Sequence, residues 1–294
     1  MGARIAMVTS TDGIDMDIDL PLIVDALCAE GCAAQAVAWD TGSPAWGDFD
    51  LAVIRSTWDY TERLGEFLAW AGETARVTLL CNPAPLVRWN SDKRYLLALA
   101  ERQVPVVPTR FIEPGERCDE AEFGMAGEVV VKPAVSASAR DTARYERDGH
   151  PDALHHARRL LAQGRMVMLQ PYLRLVAEGE RSLVFFSGVF SHAVRRQPVL
   201  TEPGLTDHGR VPHPGVTGYR PTPAEMRTAL AALAAVPSAE APLFARVDLA
   251  LDEARNPVVM ELELIEPNLF LHLDPQGLRR FVEAVAGRAR RTAC

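Results

Sequence analysis

The chain is 294 residues long, 48% hydrophobic and 24% charged, with a formal net charge of −8 at pH 7. That acidic balance excludes a nucleic-acid partner held by counterion release, and no apolar run reaches the ~18 residues that would span a bilayer. The five cysteines (Cys28, Cys32, Cys81, Cys118, Cys294) are odd in number and form no CxxC pair, so they read as small buried apolar residues of a cytoplasmic protein.

Residues 4–9 read as a buried strand, followed by a helix from Asp19, with Asp19 as its N-cap and Gly31 past its end. Residues 35–39 and 51–56 are further strands, 62–75 a helix and 77–80 a fourth strand. This alternation predicts a parallel, doubly wound αβ domain over residues 1–85. No GxGxxG follows the first strand, so a dinucleotide fingerprint is absent. The Asp15, Asp17, Asp19 series reads as a solvated loop. A linker helix, capped by Ser91 or Asp92, occupies 86–102. Beyond it, residues 104–109, 129–132 and 167–172 read as strands and 152–163 as a helix, giving a central domain over 103–172. Residues 173–294 form a third domain. It opens with a hairpin, 182–186 and 190–196, about Ser187-Gly188. A long Gly- and Pro-rich loop spans 201–222, a helix 223–236, a strand pair 245–251 and 258–265, and a terminal helix 278–291.

The last strand pair carries the strongest pattern. A turn centred on Ala254-Arg255 sets Asp248 opposite Glu261 and Arg246 opposite Glu263. Side chains alternate faces at period two, so these four share one face. Val247, Leu249, Leu251, Met260, Leu262 and Leu264 share the other, apolar one. Opposed like charges are destabilising and call for a cation. Arg246 neutralises one carboxylate, and the remaining pair suits Mg²⁺, a hard ion with oxygen ligands. An ordinary solvated acidic face is the alternative. The lysines add a second step. Of the 31 basic residues only two, Lys93 and Lys132, are lysines. An ammonium is a point charge and a guanidinium a planar fork, so the two are not interchangeable in a narrow phosphate site. Two ammonium groups with a carboxylate cluster point to a nucleoside triphosphate and Mg²⁺. No GxxxxGK[ST], HRD or DFG occurs, which excludes P-loop NTPases and protein kinases.

In this order the motifs resemble the ATP-grasp superfamily: Asn90-Ser-Asp-Lys93 opening a helix, Val131-Lys132-Pro133 ending a strand, Leu169-Gln170-Pro171-Tyr172-Leu173, and the late Asp248, Glu261 and Glu263. The resemblance covers nearly the whole chain. It implies an α/β fold, α+β in its C-terminal part, whose central and C-terminal domains clamp ATP. It also implies phosphate contacts from Lys93 and Lys132, an adenine-binding hinge at Gln170, Pro171, Tyr172 and Leu173, and a ribose-binding acid at Glu178 or, second, Glu180. Two Mg²⁺ would be held by Asp248, Glu261 and Glu263. The family's glycine-rich phosphate loop has no glycine here; Ser136 and Ser138 are its candidate phosphate contacts. Arg246 and Lys132 become the catalytic candidates. Ile54–Tyr60 and Glu261–Phe270 are similar to a small bacterial branch that includes the O-ureido-serine cyclo-ligase of D-cycloserine biosynthesis.

Substrate candidates lie at the end of the third strand, where open αβ sheets bind ligands. Arg55 suits a carboxylate and Asp59 an amine, with Trp58 as a pocket wall and Asn268 close by. The alternative is a helix-capping Asp beside a surface arginine. Arg195 and Arg196 point to opposite sheet faces, and Arg195 is assigned to the site. The expected activity is ATP-dependent activation of a carboxylate for attack by a nitrogen. Cyclisation of O-ureido-D-serine to D-cycloserine comes first and a dipeptide-type ligase second. A nucleotide-binding regulator without turnover is the reading from another class. The expected partner is a small amino-acid-like substrate, without nucleic acid or membrane, and a homo-oligomer stays open.

Overall fold

The computed structural model describes the chain apart from residues 1, 43–44, 124–126, 138, 201, 207–214 and 293–294. Ser138 and the middle of the 201–222 segment therefore lie outside the described residues. In chain order the elements are β1 (Arg4–Thr9), α1 (Asp19–Ala29), β2 (Ala33–Ala38), β3 (Leu51–Ser56), α2 (Leu64–Thr74), β4 (Leu79–Cys81), α3 (Ala84–Asn90) and α4 (Tyr95–Glu101). These are followed by β5 (Arg110–Ile112), β6 (Val129–Pro133), β7 (Thr142–Tyr145), α5 (His150–Ala162) and β8 (Val167–Pro171). Last come β9 (Glu180–Phe186), β10 (Val189–Arg196), β11 (Gly204–Thr206), β12 (Thr217–Tyr219), α6 (Pro223–Ala234), β13 (Phe244–Leu251), β14 (Pro257–Glu263) and α7 (Pro275–Thr292).

The first sheet is parallel, in the order β2-β1-β3-β4. Its strands are apolar on both faces, as strands covered on both sides must be. Ile5, Met7, Leu51 and Val53 pack against α1 and α7, through Ile23, Leu27, Phe281 and Val285. Ala6, Val8, Ala52 and Ile54 pack against Phe67 and Ala71 of α2. The winding is thus double, and its first layer borrows the C-terminal helix. The second sheet, β11-β7-β6-β8-β5, is antiparallel and backed by α5 through Ala153, Ala157 and Leu160. The third, β12-β10-β9-β13-β14, packs one face on α6 and α4 through Leu183, Phe185, Val247, Leu249 and Leu262. Among the described residues no helix is long and apolar enough to cross a membrane.

Several local expectations are corrected. Residues 104–109 make only a single bridge, Val106 to Val259, because Pro105 and Pro108 lack the N–H groups a ladder needs. The 201–222 segment contains β11 and β12, which join two different sheets. The linker helix is two helices, α3 and α4, and Lys93 sits in the turn between them. Cys28 is exposed, unlike Cys81 and Cys118. Asp17 and Asp19 are buried rather than solvated. Asp19 is the first residue of α1, not its cap. Its carboxylate receives Leu271 N (2.9 Å), His272 N (2.9 Å) and the His272 ring (2.8 Å), fastening α1 to the C-terminal segment.

Candidate active site

The register of β13 on β14 pairs Arg246 with Glu263 and Asp248 with Glu261, so all four share a face as the sequence pattern requires. Beyond Asp248 the register shifts by one residue: Leu249 pairs with Val259, leaving Met260 as the extra residue of a bulge. Val259 therefore joins the core in place of Met260. The bulge lies on the turn side of the charged residues and leaves their pairing intact. One carboxylate oxygen from each of Asp248, Glu261 and Glu263 lies within 4.8 Å of the others.

Asp248 is the most constrained of the three. Ser182 Oγ (2.7 Å) and Arg246 Nε (2.9 Å) donate to Oδ1, while Arg246 Nη2 and Arg196 Nη2 (2.8 Å each) donate to Oδ2. Burial pushes its carboxyl up, but the Arg196 and Arg246 guanidiniums outweigh it and hold the group well below the usual carboxylate range. Arg246 also donates to Glu263 and to the Asn268 carbonyl (3.1 Å). Even so, burial beside Glu261 and Asp248 raises Glu263 to about 7. Glu263 thus gives up its proton less readily than a free carboxyl, and a further cation beside it would favour the charged form.

Both lysines converge here from different elements. Lys93 Nζ lies 3.1 Å from Glu261 Oε1 and donates to the Ser136 carbonyl at 2.6 Å. Lys132, on β6, is pushed down to about 8 by burial and by the repulsion of Lys93, against the pull of Glu261. Glu261 is opposed by burial but kept below its ordinary value by Lys93 and Lys132. The segment after Lys132 holds Ala139 and Asp141 in left-handed conformations (φ 56° and 53°), the geometry a glycine would adopt freely. Arg159 (2.9 Å) and Arg165 (2.5 Å) fasten Asp141, and Arg140 reaches Glu62 of the first domain.

Gln170 and Pro171 end β8, and Tyr172 and Leu173 follow it. Gln170 is buried and donates to Thr109 Oγ1 (2.8 Å). Pro171 ends β8 opposite Val129, and the Tyr172 ring carries the Arg144 guanidinium at 4.0 Å. Leu173 is half-buried. Of the two acids, Glu178 is turned outward onto Arg255 (2.8 and 2.9 Å), whose hydrogen bonds lower it. Glu180 faces the cluster: Arg196 donates to it at 2.7 Å, and burial raises it.

Arg195 is exposed and faces away, whereas Arg196 reaches Glu180 and Asp248. The swap has a local cause. The β9–β10 hairpin shifts register between Phe190 and His192, which makes Ser191 an extra residue. Without that bulge Arg195 would oppose Glu180; with it, Arg196 does.

At the end of β3 the charged side chains already have partners within the chain. Arg55 is wholly buried, and its fork is spent on Asp17 (3.1 Å) and the Pro267 carbonyl (2.9 Å). Asp59 accepts from Trp39 Nε1 (3.1 Å) and lies 3.6 Å from Arg63. Trp58 Nε1 donates to the Glu266 carbonyl (3.1 Å). Arg55 and Trp58 thus hold the 266–268 segment, in which Asn268 is half-buried, and Asp59 is engaged within the first domain. Asn90 performs a similar task on β14, an edge strand. Its Nδ2 donates to Leu262 O and its Oδ1 accepts from Leu264 N, both at 2.7 Å, as a neighbouring strand would. Tyr95 Oη accepts from Leu262 N (3.0 Å). By sequence, Ser182 and Glu266 have no role, Asn90 enters only as the start of the Lys93 motif, and Arg196 only as the alternative to Arg195. The β9 register, which sets Ser182 opposite Asp248, is the signal that could have found Ser182.

Comparison with known proteins agrees with this geometry. A sequence profile described as the N-terminal domain of the D-cycloserine synthetase DcsG matches residues 5–82. The cycloserine biosynthesis protein DcsG of Streptomyces lavendulae is 39% identical over 97% of this chain and 98% of its own length. A crystal structure of D-cycloserine synthetase DcsG superposes with a TM-score of 0.90 at 37% identity, covering 97% of this chain and 99% of that one. D-alanine–D-alanine ligase from Bacillus anthracis shares the fold over the full length of both chains, with a TM-score of 0.69 at 14% identity. The chain therefore belongs to the D-cycloserine synthetase (DcsG) family of ATP-grasp enzymes and is an ATP-dependent carbon–nitrogen ligase.

Proposed function

We propose that this ligase closes O-ureido-D-serine to D-cycloserine, spending one ATP per ring. The observation that carries the chemistry is the meeting of Lys93 and Lys132, from two different elements, at Glu261. That arrangement suits a triphosphate held between the second and third sheets, with residues 1–85, 103–172 and 173–294 acting as three domains joined by the 86–102 linker. Lys93 and Lys132 take the phosphates, Ser136 lies beside Lys93, and the strand end at Gln170–Leu173 takes the base. Glu180, which faces the cluster, takes the ribose hydroxyls in preference to Glu178.

The hard oxygen donors of Asp248, Glu261 and Glu263, clustered within 4.8 Å, fit Mg²⁺, and we assign them two ions. Asp248 already accepts four hydrogen bonds, so to serve as a ligand it would have to release one of them; Arg246 also donates to Glu263 and Asn268 O. Held there, Mg²⁺ would offset the negative charge of the phosphates. The chain's own contribution is positional. Arg246 and Lys132 stabilise charge on the transferring phosphoryl group as the substrate carboxylate displaces ADP. The O-linked nitrogen of the same molecule then attacks the acyl carbon and releases phosphate. An intramolecular nucleophile needs only to be folded to ~3–3.5 Å from its target. With one water the carbamoyl fragment leaves as carbon dioxide and ammonia.

The test mixes enzyme, ATP, Mg²⁺ and O-ureido-D-serine. ADP and D-cycloserine are expected in equal amounts. ADP formed only with a pair of ordinary amino acids would favour the dipeptide ligase, and nucleotide binding without turnover on any acid would favour the regulator.

A further inference from the structure

One buried acid remains without a task. Glu266 is 8% exposed, and no described residue hydrogen-bonds to or ion-pairs with its carboxylate. It lies outside the carboxylate set that could share a metal, although Glu263, Glu261, Lys93 and Arg246 are all within electrostatic reach. Lys93 is committed to Glu261 and Ser136, and Arg246 to Asp248 and Glu263. A buried carboxylate without a partner is costly, and no described residue offers it a cation of its own.

The backbone that carries it is held unusually firmly. Trp58 Nε1 donates to the Glu266 carbonyl (3.1 Å), Arg55 Nη1 to Pro267 O (2.9 Å) and Arg246 Nη1 to Asn268 O (3.1 Å). Three consecutive carbonyls are thus pinned by three side chains, one of them itself anchored by a buried ion pair with Asp17. Such support is what a binding group needs when its geometry must not drift. Of the acids acting on the buried Tyr60 phenol, Glu266 acts most strongly.

We propose that Glu266 receives the α-ammonium of the substrate and makes the enzyme select α-amino acids over simple carboxylic acids. This rests on the reading above, in which an amino acid is activated at its carboxyl. The nitrogen that closes the ring is the O-linked one, so the α-ammonium is never consumed and stays available as a handle. Arg55 and Trp58 become positioning residues for Glu266.

The test compares O-ureido-D-serine with 3-(ureidooxy)propanoate, which differs only by lacking the amine, scoring ADP release with ATP and Mg²⁺. The native enzyme is expected to prefer the amine-bearing acid by ~100-fold in kcat/KM, since a site built around a buried charge rejects an analogue that leaves it unpaired. Glu266→Gln should shrink that preference to within ~3-fold, the acceptor charge being gone, while the KM for ATP stays unchanged. A preference that survives in E266Q overturns the proposal. So does a native enzyme that uses both acids alike, a result that needs no variant to fold. Where O-ureido-D-serine gives no ADP but another amino acid does, the proposed function fails. The same comparison, with that amino acid and its amine-free counterpart, then decides on Glu266 alone.

Discussion

The end of β3 and the open face of β13–β14 both carry arginines and carboxylates, yet they use them differently. At β3 every charge is matched within the chain: Arg55 by Asp17, and Asp59 by Trp39 and Arg63. On β13–β14 the acids Asp248, Glu261, Glu263, Glu180 and Glu266 outnumber Lys93, Lys132, Arg196 and Arg246, and Glu263 rises to about 7. A matched cluster holds structure, and an unmatched one is ready for a cation. Whether charge is balanced, rather than which residues supply it, separates scaffold from site.

The sharpest way to break this comparison is Glu261→Gln. It keeps size and removes the acid on which both lysines converge, and ADP release should fall on the order of 10³–10⁴-fold, as for a lost metal and phosphate anchor. Near-native turnover would return the face to an ordinary acidic surface. The converse substitution is Asp17→Asn, which strands a buried guanidinium. Stability to urea should drop by about 3 kcal/mol, with the KM for ATP little altered in the folded fraction. Unchanged stability with a raised substrate KM would make β3 a binding surface after all.

Two smaller effects refine the site. Lys132→Arg retains charge but puts a planar fork where a point charge is seated, so kcat/KM for ATP should fall by ~30-fold. Native values there would mean that the scarcity of lysine carries no message. Asn90→Ala leaves Leu262 O and Leu264 N unpaired and should cost about 1–2 kcal/mol in stability. Because those groups flank Glu263, the concentration of Mg²⁺ needed for half-maximal rate should also rise. A stability loss with an unmoved Mg²⁺ requirement would confine Asn90 to the scaffold.

Much of this was legible in the amino-acid order. The doubly wound sheet announced itself through strands apolar on both faces, alternating with helices. The hairpin register followed from period two and one turn, which is why Arg246, Asp248, Glu261 and Glu263 were brought together correctly. The two lysines stood out because so many arginines surround them.

What only the tertiary structure decided has a common cause. One extra residue, Ser191, exchanged Arg195 for Arg196, and a bulge at Met260 exchanged it for Val259 in the core. Arg55 found Asp17, 38 positions away, and Pro267, 212 positions away. Sequence by itself determined local periodicity, and with it which side chains share a strand face. Bulges and the partners of buried charges depend on which distant segments meet, since a buried ion is tolerable only against a matching group that the local chain does not contain.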